Sequence, residues 1–152
     1  MQLAWVSPKA RDKVIELLML ALVTSMEDQA KFSKVERITQ ILGKLEAKRA
    51  VPVLAVNIGW HGLVSDLSLR PYPFAQALVA IGPPAVGAVG AVLRDATRPR
   101  ERALAAVVLG RIGNSAAADA LRSAQPRERD ADVRRAIVAS LREIGRAPHE
   151  GQ

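Results

Sequence analysis

Four segments of this chain align with one another without gaps: Leu42-Gly43-Lys44-Leu45-Glu46, Leu78-Val79-Ala80-Ile81-Gly82, Leu109-Gly110-Arg111-Ile112-Gly113 and Leu141-Arg142-Glu143-Ile144-Gly145. Their last residues lie 36, 31 and 32 positions apart. A period of that length marks stacked copies of one supersecondary unit, because a single unit cannot bury its own apolar face. Nothing else in the sequence narrows the possible folds as much.

Each segment closes a helical pattern. Val35, Ile38, Leu42 and Leu45 form one stripe, and Phe74, Ala77, Leu78 and Ile81 the next. Leu104, Val108 and Ile112, then Val133, Ile137, Leu141 and Ile144, complete the set. Steps of three and four residues belong to one helix face, not to a strand. A second helical pattern follows each of the first three segments: Ala50, Val53 and Leu54; Val86, Val89 and Leu93; Ala117, Ala120, Leu121 and Ala124. The glycines at 82, 113 and 145 stand where a helix stop is needed, since glycine enters the left-handed region without a Cβ penalty. Pro83-Pro84 and Asn114-Ser115 then open the partner helices. Each unit is therefore a helical hairpin.

At 49% hydrophobic but only 3% aromatic residues, the core must be built from Ala, Val, Leu and Ile, which suits close helix packing. The 152 residues make one domain of ordinary size. We expect an all-α fold: an α-α superhelix of short hairpins with about eight helices, a leading helix over residues 7–24 and repeat units over residues 33–146.

The run Val133-Arg134-Arg135-Ala136 with Ala139, Leu141, Ile144 and Gly145 resembles the first helix of a HEAT-like repeat, the short variety also found in phycobilisome lyases. Arg102-Ala103 with Leu109-Gly110-Arg111-Ile112-Gly113-Asn114 matches it again. The likeness is good for the third and fourth units, fair for the second, and weak for the first, where Glu46 replaces the glycine. It implies an α-solenoid whose second helices line a concave face. Such modules are mostly protein-binding scaffolds, and the fold alone does not decide function.

Both ends of the repeat look incompletely capped. Ser7 is placed to cap a leading helix with Pro8 at its first position. Residues 14–23 are apolar nearly all round, although a terminal helix should present a polar outer face. The fourth unit has only its first helix. Homodimerisation through these ends, or excision from a longer protein, are the two explanations we carry forward.

The net charge of +7 is unevenly placed. Residues 94–146 hold twelve arginines and seven acids, whereas residues 51–93 hold one basic and one acidic group. Residues 94–102 and 122–130 share the tetrapeptide Pro-Arg-Glu-Arg, and both should connect a second helix to the next first helix. Arg94, Arg98, Arg100, Arg122, Arg127 and Arg129 would then lie on one edge of the stack, available to an anionic partner. The competing view is solvated turns, with arginines on helix C-terminal carbonyls and acids at the following N-termini. Aromatic side chains are absent from this half, which argues against single-stranded nucleic acid.

Residues 58–73 form the one long irregular stretch, and Trp60, His61, Asp66 and Arg70 are its site-like residues. His61, Ser65 and Asp66 are residue types of a catalytic triad, but closeness in sequence supplies no triad geometry. Leu63, Val64, Leu67 and Leu69 point to a cover over the core. Gly110-Arg111-Ile112-Gly113 would cradle a phosphate only with neighbouring strands, which are missing, so we read Gly110 as a packing residue. Gly87 and Gly90 get the same structural reading inside an apolar helix. Deoxyhypusine hydroxylases are HEAT-like enzymes that bind a di-iron centre through several His-Glu pairs. The single pair His149-Glu150 falls short of that, and with two histidines and no cysteine we expect no metal site and no cofactor.

The longest apolar run spans ten residues, interrupted by Glu16, against the roughly 20 that a bilayer span needs. The first residues lack the pattern of a signal peptide. A cytoplasmic location is the expectation, with export after removal of a signal peptide as the alternative. The functional expectation is a non-enzymatic module that binds another protein. The alternative is a nucleic-acid-binding module using the arginine edge, with an enzyme centred on residues 58–73 a more distant third.

Overall fold

The computed structural model describes residues 7–61 and 69–147. They form eight α-helices and no strand: α1 Pro8–Ser25, α2 Phe32–Lys44, α3 Val51–Val56, α4 Pro73–Ile81, α5 Val86–Asp95, α6 Pro99–Ile112, α7 Ser115–Ala124 and α8 Ala131–Arg146. Short 3₁₀ turns at Gln29–Lys31, Lys48–Ala50 and Pro83–Ala85 lead into α2, α3 and α5. The fold is all-α, with the expected number of helices.

The helices run in two rows. Each of α2, α4, α6 and α8 packs on the next, and so do α3, α5 and α7. The rows meet because α5 also packs on α6, and α7 on α6 and α8. This arrangement is compatible with a superhelical stack. The anticipated stripes face inward: Val35, Ile38, Leu42, Phe74, Ala77, Leu78, Leu104, Val108, Val133 and Ile137 are buried in one continuous core. α1 closes one end, resting on α2 and the Lys48–Ala50 turn through Ile15 and Leu22. Among the described residues no single helix is long and apolar enough to cross a membrane.

The helix punctuation follows the sequence in most places. Ser7 Oγ accepts from the Ala10 amide, and Asn114 Oδ1 accepts from the Ala117 amide. Gly113 lies in the left-handed region (φ 72°, ψ 8°) and Gly82 also has positive φ (77°). Glu46, the residue without a glycine, adopts positive φ as well (48°). Its amide donates to the Gly43 carbonyl at 2.9 Å and the Ala47 amide to the Leu42 carbonyl at 3.0 Å, the bond pair of a Schellman stop. The first unit therefore keeps the repeat's turn while losing its residue type.

Gly145 corrects the expectation. It sits inside α8, which continues to Arg146 and ends at Ala147. At Gly82 the chain turns by 118° into the segment that carries α5, and at Gly113 it turns into α7, which packs on α6. No such helix follows α8 among the described residues, so nothing there demands a positive φ.

Two other glycines set helix spacing. A Cβ on Gly43 would come within 2.9 Å of Ala80 Cβ, and one on Gly110 within 2.7 Å of Ser140 Cβ and 3.1 Å of its Cα. These equivalent positions let α2 approach α4, and α6 approach α8. Gly87 and Gly90 do not share that role. Nothing lies within 4 Å of a Cβ on Gly87, and one on Gly90 would make only an ordinary contact with Ala120 at 3.5 Å.

Candidate functional site

The two arginine-rich segments do lie together, but they are built differently. The first Pro-Arg-Glu-Arg copy is the opening turn of α6, with Pro99 at its start. The second copy precedes α8, whose cap is Asp130, accepting from the Asp132 and Val133 amides. The tetrapeptide therefore slips against the repeat, and each copy does a different job.

Arg102 and Glu128 join the segments. The guanidinium donates to both carboxylate oxygens, Nε at 2.8 Å and Nη2 at 3.0 Å. Its Nη1 donates to the carbonyls of Ala96 and Thr97, capping the end of α5. Glu128 also accepts from the Arg129 and Asp130 amides. Both side chains are largely covered, at 17% and 7% exposure. Hydrogen bonding from Arg102 holds the Glu128 carboxyl below its usual range despite burial, which acts the other way. Arg102 is raised in turn by its bond to Glu128. This pair is a loop clamp.

The remaining arginines divide by partner. Arg94 forks onto Asp95, Arg98 lies 3.4 Å from Glu101, and Arg122 pairs with Asp119 at 3.1 Å. The Asp95 hydrogen bond raises the Arg94 pKa. Among the described residues, Arg100, Arg127 and Arg129 take part in no ion pair. Much of the arginine excess is thus spent on turns and helix ends.

Next to the clamp, α5 and α7 leave a groove of about 380 Å³. Val86, Gly87, Gly90, Leu93, Ala120 and Ala124 line it, with Ser123 on its wall and Arg94, Arg127 and Glu128 at one end. Its depth comes from missing side chains, since the two glycines and two alanines stand where larger residues would fill the space. With Arg94 and Glu128 already paired, Arg127 is the cation left over at the mouth. Such a groove suits an apolar side chain followed by a carboxylate.

Trp60, His61 and Arg70 lie away from this groove. Trp60 stacks on Phe32 (5.4 Å, 9°) and meets Phe74 edge-on (5.6 Å, 64°), bridging the starts of α2 and α4. His61 meets Tyr72 edge-on at 5.6 Å. Arg70 is exposed, and its carbonyl accepts from Gln76 Nε2. Leu63, Val64, Ser65, Asp66 and Leu67 lie outside the described residues, as do His149 and Glu150. Among the described residues no group of three or more His, Asp or Glu side chains is placed to hold a metal ion.

One basic surface escaped the loop-centred reading. Arg134, Arg135 and Arg142 flank Ala131, Val138 and Ala139 on the outer side of α8, beside a shallow depression of about 580 Å³. Arg135 bonds Asp132, whereas Arg134 and Arg142 are in no ion pair among the described residues. The signal was legible, because 131, 135, 138 and 142 share one helix face.

The molecule belongs to the class of all-α proteins, its helices packed in two rows with a small-residue groove between α5 and α7. No protein-family model, curated protein or solved structure matches the chain.

Proposed function

We propose that this protein is a non-enzymatic, HEAT-like helical-repeat module that binds another protein through the second-helix row. The observation that carries the reading is the α5–α7 groove, an apolar slot with open space over Gly87 and an uncompensated Arg127 at its mouth. An extended or helical segment presenting one apolar side chain beside an acidic one fits that chemistry. The clamp between Arg102 and Glu128 supports it by holding the groove's arginine end in place without using Arg127.

Selection of random displayed peptides on the purified protein tests the proposal. Selected sequences should carry an apolar residue next to Asp or Glu. Gly87→Leu should abolish their binding, and Arg127→Glu should weaken it about tenfold, or about 1.4 kcal/mol. Gly87→Leu has room for its side chain, so folding is preserved. Peptides that bind Gly87→Leu as well as the parent would remove the groove from the proposal.

A further inference from the structure

The spacing of 32 residues between the third and fourth repeat segments sets α6 in register with α8. Ala103, Ala106 and Gly110 share one side of α6. The alanines are buried, and a Cβ on Gly110 would come within 2.7 Å of Ser140 Cβ on α8. The same register positions on α8 hold Arg135, Val138 and Arg142. Arg142 follows Ser140 by two residues, so it stands about 200° around the helix, on the side away from α6. Two guanidinium side chains therefore replace a methyl group and a hydrogen. Another helix could not settle on α8 as closely as α8 settles on α6.

Arg134 has an equivalent too. It stands in the register of Arg102, which forks onto Glu128 from the segment leading into the next helix. Arg134 and Arg142 are exposed and take part in no ion pair among the described residues. They lie about 12 Å apart along the helix axis. Ala131, Val138 and Ala139 line the depression of about 580 Å³ beside them. Arg135 shares this side but is already bonded to Asp132.

We infer that this side of α8 docks an acidic segment of a partner protein. Two carboxylates about 12 Å apart would reach Arg134 and Arg142, with a small apolar side chain resting on Val138 between them. The pairing of Arg102 with Glu128 shows within the same molecule how an arginine at this register takes a carboxylate. The apolar floor favours a peptide over a phosphate backbone, which has no side chain to place there. Asp132, on Arg135, and Glu143, 3.5 Å from Arg111, border the arginines and oppose a passing row of phosphates. The surface ends the first-helix row and is separate from the α5–α7 groove, so neither site depends on the other.

NMR titration of the full chain with a helical, alanine-rich peptide tests the inference. The peptide carries Glu at positions i and i+7 and Leu at i+4, which puts two carboxylates two turns apart on one side. Amide shifts should concentrate in α8. Arg134→Ala with Arg142→Ala should weaken binding at least about tenfold, and neither side chain holds the fold together. Arg100→Ala with Arg129→Ala removes the same charge from the loop edge and should change the affinity by less than about twofold. Equal losses in the two double variants would show a response to net charge alone and overturn the inference. So would an absence of α8 shifts at about 1 mM peptide. Random duplex DNA that shifts α8 at lower concentration than the peptide, in the same salt, would make nucleic acid the occupant and overturn it as well.

Discussion

Glycine does three different jobs in this chain, and residue type alone does not separate them. Gly113 supplies a left-handed turn, Gly110 lets α8 approach α6, and Gly145 does neither. Gly110→Ala drives a methyl group into Ser140, whose backbone cannot retreat as a flexible side chain would, and should destabilise by about 1–3 kcal/mol. Gly145→Ala fills open space in a helix interior and should stabilise by up to about 1 kcal/mol. Thermal melts of the two variants should therefore shift in opposite directions, by about 2–4 °C for each kcal/mol. A rise in both would mean that helix propensity outweighs packing even at Gly110. The Gly110 role was legible because the residue interrupts an apolar stripe without strands nearby. That Gly87 and Gly90 instead open a groove was not, because the void depends on the distance between α5 and α7.

At the scale of elements, the arginine-rich segments turn out to be joints. The anticipated structural role, with arginines on helix C-terminal carbonyls and acids at N-termini, is visible in Arg102 on Ala96 and in Asp130 on α8. Sequence could not indicate that Arg102 chooses Glu128, 26 residues away, because that pairing depends on how α5, α6 and α8 stack. Glu128→Gln leaves Arg102 without its counter-charge and should cost about 2 kcal/mol at neutral pH. The pH dependence has a definite sign. The folded-state pKa of Glu128 is lowered, so its contribution is complete above the ordinary carboxylate range and is lost as pH falls through the folded value. Melting temperatures of the parent and Glu128→Gln should therefore converge on acidification below about pH 4.3. A gap that is constant down to pH 2 would show that packing, not charge, carries the effect.

For the whole molecule, the question is how the positive charge is presented. Several arginines are neutralised within the joints, leaving Arg100, Arg127 and Arg129 near the edge and Arg134 and Arg142 on α8. A nucleic-acid-binding module would need these to act as one field. We expect random duplex DNA to bind only at the non-specific level, with a Kd of about 10⁻⁴–10⁻⁶ M at physiological salt. Fluorescence anisotropy across a salt series checks this, with Arg134→Glu and Arg142→Glu expected to weaken binding and Gly87→Leu to leave it unchanged. Submicromolar affinity with a steep salt slope would instead favour nucleic acid as the partner.

The sequence by itself determined the helical class, the leading helix, and the stops at Gly82 and Gly113. Those properties rest on periodicities and backbone preferences within a few residues. Only the tertiary structure decided that Glu46 turns like a glycine, that Gly145 stays helical, and that Arg102 clamps Glu128. It also decided that small residues on α5 and α7 leave a groove and that Val14, Leu17, Leu20 and Val23 of α1 stay outside the core. Each of these depends on the offset between neighbouring helices. That offset is set by side-chain volumes meeting across the stack, between residues that no local pattern connects.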